Sequence, residues 1–411
     1  PKKRLREPEW AVLPHRAYMT RLTSPEVARD VPRSLVCNTP CHASLNKVRA
    51  PVHALGWSPD GRRAVTGNQN GEFTLWNGSA FNFEGLIAAH TSPVRAVAWA
   101  RSGATLLSGD AKGGIKYWEA TMTPVHEIET SHGGCAVQGL AFAPSDAKFA
   151  SCGDDGAVRV WDWERFAEER VLAGHGWDAK CLDWHREYRL LASGSKDNQV
   201  KLWDPRIRIS SATLYGHKHT VMDVKFNPVN GHWLLTASRD QTLKLYDLRV
   251  LRNAHTFKGH NREVTSCAWH PFSERLFATG AYDGTVNHWL VGCDDPLHSH
   301  KAHDQACWAL EWHPVGHVLA TASNDHRVRF WCRPRPGDAL PLHAIEQRAL
   351  EARCREHGVE DLEAMFPASA ARAADEEEEG KDGGDDGEPG GDDAEKKTSS
   401  DHASSEKKND A

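Results

Sequence analysis

Short stretches of alternating apolar and polar residues recur along this chain. In GEFTLWNG, residues 71–78, Phe73 and Leu75 flank Thr74 and the stretch closes on Trp76; GGIKYWEA, GAVRVWDW and NQVKLWDP repeat the phrase further along. A period of two predicts strands with one face toward a core and one toward water. Aligned on the phrase, the strand-ending aromatics are Trp76, Trp118, Trp161, Trp203, Tyr246, Trp289 and Trp331, spaced by 42 or 43 residues. A second series, Trp57, Trp99, Phe142, Trp184, Phe226, Trp269 and Trp312, runs with the same period.

Two independent markers with one period establish seven internal repeats. Repeats of about 40 to 45 residues with four short strands each are the signature of a β-propeller. A single unit cannot cover both faces of its sheet, whereas in a ring every blade packs between two neighbours. The seventh unit runs from Trp331-Cys332 into RPRPGD, residues 333–338, where two prolines preclude a regular paired strand. Its outermost strand is therefore expected from the front of the chain, from residues around Cys41 to Val48.

The phrases AGH at 173–175, YGH at 215–217 and KGH at 258–260, with Trp161-Asp162, Trp203-Asp204 and Tyr246-Asp247, resemble the WD40 repeat family. The expected fold is an all-β, seven-bladed WD40 β-propeller. The chain divides into a basic N-terminal arm at 1–40, the propeller at 41–338, a short helix or linker at 339–374 with helical spacing through Leu342, Ile345, Leu350 and Cys354, and an acidic tail at 375–411.

Ten residues before each marker aromatic stands a hydroxyl: Thr66, Ser108, Ser151, Ser193, Thr236, Thr279 and Thr321. Six residues before it, five units carry Asp155, Asp197, Asp240, Asp283 and Asp325; histidines lead six units at His90, His132, His175, His217, His260 and His303. Ser, His and Asp together invite a nucleophilic triad. Repetition argues against it, because an enzyme needs one activated nucleophile beside one oxyanion hole. The WD40 resemblance implies internal hydrogen-bonded tetrads instead: His175, Ser193, Asp197 and Trp203; His217, Thr236, Asp240 and Tyr246; His260, Thr279, Asp283 and Trp289. No catalytic residue and no cofactor are expected. The first two units depart from the pattern, with Asn70 and Lys112 at the Asp position and Lys47-Val48 where the first histidine would stand.

Charge adds an asymmetry. The net charge is −6, yet from Asp375 to the end 15 acidic residues face 5 basic ones, and residues 1–49 hold 10 Lys or Arg against 4 Asp or Glu. The tail, rich in Glu, Asp, Gly, Ser and Lys and without aromatics, is expected to stay disordered and to repel nucleic acid. Lys2, Lys3, Arg4 and Arg6 suit a nuclear import signal, a phosphate-binding patch or a solvated tail. Apolar runs are too short for a spanning helix, so no membrane partner is expected, and no charged-then-apolar leader follows Pro1. The ten cysteines are scattered, and several lie in strand patterns, as small buried hydrophobes in a reducing compartment do. Cys37, Cys41 and His42 lack a second ligand pair at zinc-finger spacing, so no metal is expected.

A closer likeness covers the whole ring. SPDGRRAVTGNQNGEFTLWNGSAFNFE at 58–84, followed by AHTSPVRA, resembles the first unit of the WD-repeat subunit of the cleavage and polyadenylation specificity factor; KFASCGDDGAVRVWD at 148–162, SGSKD at 193–197, WLLTASRD at 233–240 and AWHPFSERLFATG at 268–280 extend it. The resemblance implies a nuclear scaffold for pre-mRNA 3′-end processing. It would sit on the largest subunit of that factor, help hold a zinc-finger subunit, and grip the AAUAAA signal with it. It further implies that Lys3, Arg4 and Arg6 touch phosphates or base edges, that Phe83 stacks on a base with Leu86 flanking it, and that Lys47 lies near the RNA backbone. No small-molecule substrate is implied. A reading from another class is a protein-only adaptor, a ubiquitin-ligase substrate receptor or chromatin reader that uses the central opening.

Overall fold

The computed structural model describes residues 35–45 and 49–333. Lys3, Arg4, Arg6, Lys47, the helical pattern at 342–357 and the acidic tail lie outside them. Among the described residues the architecture is seven four-stranded antiparallel sheets, each built from consecutive strands except the last. In the first blade β2 (Val52–Trp57) is innermost, followed by β3 (Arg63–Asn68), β4 (Glu72–Asn77) and the outermost β5 (Phe83–Ala88). The first strand among the described residues, β1 (Thr39–Leu45), belongs to the seventh blade with β26 (Cys307–Trp312), β27 (Val318–Ser323) and β28 (Arg327–Cys332).

Closure is a direct pairing of front and back. β1 runs antiparallel to β28 from Thr39 opposite Cys332 to Leu45 opposite Arg327, with a bulge between Pro40 and His42. The strand begins two residues earlier than the sequence suggests, and residues 46–48 lie outside the described residues. The chain also enters the core before it: Leu35 and Val36 pack with Leu276, and Cys37 joins Trp312, Leu319 and Trp331. An arm ending at residue 40 is thus too long, because these apolar side chains are already buried under the sixth and seventh blades. Cys37 is buried while Cys41 and His42 are exposed.

Neighbouring blades are joined by apolar residues of their facing sheets. Trp76, Phe81 and Trp57 of the first blade pack with Val328 and Phe330 of the seventh; Phe81 stacks on Phe330 with centroids 4.9 Å apart. Polar clamps between inner strands supplement this packing. Asp183 accepts the backbone N–H of Phe226 at 2.7 Å, Asp223 accepts that of Cys267 at 2.9 Å, and Glu311 of the last blade accepts that of Trp57 of the first at 2.9 Å. Burial pushes the Glu311 carboxyl up to about 7, against the opposing pull of the Trp57 N–H and Lys225.

The recurring polar residues form buried networks. Ser193 accepts a hydrogen bond from the Trp203 indole at 2.8 Å and lies 2.7 Å from His175 Nε2, while Asp197 lies 3.0 Å from His175 Nδ1. Two of the three tetrads named from the sequence differ in part. His217 meets Thr236 at 2.7 Å and Asp240 at 2.9 Å, but the Tyr246 hydroxyl donates to the Tyr215 carbonyl, because a phenol reaches past the spot where an indole N–H sits. His260 meets Thr279 at 2.7 Å, and Trp289 donates to the same oxygen. Asp283, however, bonds the Thr285 backbone and hydroxyl instead, and Asn287 takes its place near His260 Nδ1.

In the second unit the carboxylate is displaced rather than lost. Asp110, two residues before Lys112, lies 3.3 Å from His90 Nδ1 and accepts the backbone N–H of Lys112 and Gly114. Burial pushes its carboxyl up, but the neighbouring His90 and the Gly114 N–H outweigh this and hold it at about 2. The first unit uses Asn68 in the same way, accepting the N–H groups of Asn70 and Glu72.

Ser193→Ala leaves both the Trp203 N–H and His175 Nε2 without a partner, at about 1–3 kcal/mol for each unmet buried group. Thr236→Ala removes the His217 contact and a 3.3 Å bond to the Lys244 carbonyl but leaves no indole N–H without a partner, since Tyr246 bonds elsewhere. Urea denaturation should therefore show the larger loss for Ser193→Ala and near-complete recovery in Ser193→Thr, the residue that four other units carry.

Candidate nucleic-acid interface

Phe83 and Leu86 both lie on β5, three residues apart, a spacing that in a regular strand sends side chains to opposite faces. The register corrects this. Trp76 opposes Phe83 but Leu75 opposes Gly85, so Glu84 is an extra residue, and Leu86 opposes Thr74. Directly opposed residues of an antiparallel pair share a face. Trp76 and Thr74 are two apart on β4, which places Phe83 and Leu86 on one face, by way of the bulge.

That face looks toward the seam with the seventh blade. Phe83 meets Trp76 edge-on with centroids 6.3 Å apart and packs partly against the Val328–Phe330 cluster. Leu86 is 40% exposed. Alternation alone would make Phe81 and Phe83 equivalent, but Phe81 sits in the preceding turn at φ 55°, buried against Phe330, whereas Phe83 is half-buried on the strand. Across the seam, His42 and Ser44 of β1 oppose Phe330 and Val328 and so face the same side as those apolar residues.

Charge at the strand itself is balanced. Glu84 accepts from Arg63 at 3.0 Å and from Asn77 at 2.9 Å. The described residues bring Phe83 and Leu86 together; Lys3, Arg4, Arg6 and Lys47, which would add positive charge, are outside them. The bulge at Glu84 escaped sequence reading because it follows from pairing register, which no local pattern encodes.

The hydroxyls of the networks are engaged within the blades. Ser193, Thr236 and Thr279 are fully buried, and their oxygens are already engaged by histidine, with Trp203 and Trp289 adding an N–H to the first and last. Among the described residues no group of three or more His, Cys, Asp or Glu is arranged to hold a metal.

Seven segments, 36–77, 82–119, 122–162, 167–204, 209–247, 251–289 and 294–332, match the family model described as WD domain, G-beta repeat, and each covers most of one blade. The chain belongs to the WD40 family. Among individual proteins, this WD40 chain is similar to the polyadenylation factor subunit 2 of Neurospora crassa, 37% identical over 224 residues, which are 54% of this chain and 34% of the relative. The protein of the same name from Yarrowia lipolytica is 40% identical over 234 residues, 55% of this chain and 43% of its own. That of Gibberella zeae is 42% identical over 196 residues, 48% and 32% respectively. The WD40 chain thus spans less than half the length of these relatives.

Proposed function

We propose that this WD40 chain is a non-catalytic scaffold and RNA-binding subunit of the nuclear machinery that cleaves and polyadenylates pre-mRNA, and that it helps recognise the AAUAAA signal. The similarity to polyadenylation factor subunits supports the process. The observation that carries the RNA contact is the bulged β5, which sets half-buried Phe83 and exposed Leu86 on one face beside the closing seam. Single-stranded RNA is read by stacking unpaired bases on aromatic rings, with cations along the backbone. Phe83 supplies the ring, anchored by Trp76; Lys3, Arg4, Arg6 and Lys47 supply the cations. The partners are the largest and zinc-finger subunits of the cleavage and polyadenylation specificity factor.

The test is binding of AAUAAA and a scrambled hexamer by the reconstituted complex across a salt series. Four phosphate contacts predict a slope of log affinity against log salt of about −2.8. Phe83→Ala is expected to weaken the hexamer by the ~1–3 kcal/mol of one stacked base, with the slope unchanged. Equal affinity for the two RNAs contradicts the proposal.

A further inference from the structure

The seven inner strands surround a central channel of about 440 Å³. The second residue of each lines one end, among them His53, Arg95, Gln138, Lys180 and Trp308. The cations of this ring are not equivalent. Lys180 is neutralised by Asp154 at 2.7 Å and Asp178 at 3.2 Å, and the Gln138 amide also donates to Asp154. The Arg95 guanidinium is half-buried and, among the described residues, makes no hydrogen bond or ion pair. Burial lowers its pKa, and Asp154 offsets this only in part.

An arc of rings leads to it. Tyr282 stands edge-on to Trp308 at 6.3 Å, and Trp308 edge-on to His53 at 6.0 Å. The His53 Nδ1 atom is buried without a partner; burial and the nearby Arg95 lower its pKa to about 4, so the ring is neutral at pH 7. Deeper in the channel the sign reverses, where Asp183, Asp223 and Glu311 surround Lys225 and hold its pKa up despite burial.

We infer that the Arg95 end of the channel is a recognition pocket for the carboxylate side chain of an acidic partner peptide. One uncommitted guanidinium in a partly desolvated site suits one carboxylate, bound by two parallel N–H donors. His53 and Trp308 line the same space, and Tyr282, edge-on to Trp308, extends the apolar contact for the flanking residues. A nucleic acid would need a row of cations to follow successive phosphates, and the neighbouring Lys180 is already paired. The pocket is separate from the seam at β5 and stands whether or not that face binds RNA.

The test uses the full chain and three pools of labelled seven-residue peptides, random except for a central Glu, Gln or Lys. The Glu pool should be retained at least ten-fold more than the Gln or Lys pool, and Arg95→Gln should abolish the difference without altering the melting temperature. Equal retention of the Glu and Gln pools, a Glu preference that survives Arg95→Gln, or displacement of the Glu pool by an AAUAAA hexanucleotide at equal concentration would each overturn the inference. So would a Glu preference that emerges only after Asp375, Glu376, Glu377, Glu378 and Glu379 are exchanged for amides, since the chain's own tail would then be the occupant.

Discussion

Phe330→Ala is expected to destabilise the ring by about 3–5 kcal/mol, the range for truncating a fully buried aromatic. Phe330 is completely buried and touches three rings of the first blade: Phe81 at 4.9 Å, Trp57 at 5.9 Å and Trp76 at 6.5 Å. The cavity opens where the last blade meets the first, so the damage should concentrate there. Hydrogen exchange should show lost protection in β1, β2 and β28 before the blades opposite. Because Phe330 also backs Trp76, which backs Phe83, the variant should also weaken the RNA binding proposed above through a misplaced ring. Phe330→Leu, which fills most of the space, should restore much of both. Uniform loss of protection around the whole ring would contradict a local role at the seam.

Acidification is expected to destabilise the ring from about pH 6.5 downward, above the range in which ordinary carboxylates titrate. Burial lowers His53, His260, His270, His300 and His313 each to about 4, and His288 further, with His300, His298 and His270 adding like charge around it. A depressed histidine pKa means that the unfolded chain takes up protons first, from about pH 6.5 downward. The stability these groups contribute is whole above that value and is lost as pH falls toward 4. At pH 5 the loss approaches ~2 kcal/mol per group as an upper bound, and several together rival the whole stability of a domain, about 5–15 kcal/mol.

Asp110 and Asp155, held at about 2 by histidine and backbone hydrogen bonds that outweigh burial, add their loss only below about pH 4. Glu311 has the opposite sign: its raised pKa favours the fold below about 4.5, and that contribution fades as pH rises through 7. The melting temperature should therefore fall steeply between pH 6.5 and 4. His288→Leu should flatten the fall, since His288 is fully buried beside Trp312 and His300 with both ring nitrogens unpartnered. A melting temperature constant from pH 7 to 5 would refute the account.

The blades were legible in the sequence because each is a local unit: the aromatic, the hydroxyl and the alternation all fall within one repeat and repeat seven times. The closing strand was legible by default, since Pro334 and Pro336 leave the seventh unit one strand short. Its register was not, because Thr39 pairs with Cys332 across the whole span of the seven repeats. The networks were legible where one residue type does one job, as at His175 and Ser193. They were not where a neighbour assumes the role, as Asp110 does for Lys112, or where a side chain finds another partner, as Tyr246 and Asp283 do. Phe83 could be singled out only through family likeness. That it shares a face with Leu86 depends on the bulge at Glu84, and the free guanidinium of Arg95 depends on which carboxylates reach Lys180 instead.

The pairing of Thr39–Leu45 with Arg327–Cys332 also governs how the molecule is made. During synthesis six blades can form in succession as the ribosome advances, yet β1 has nothing to bind until the last repeat has emerged. For that interval the nascent arc carries two open sides, so release of the final repeat, and not the assembly of any earlier one, is the moment at which the particle becomes safe from sticking to its neighbours.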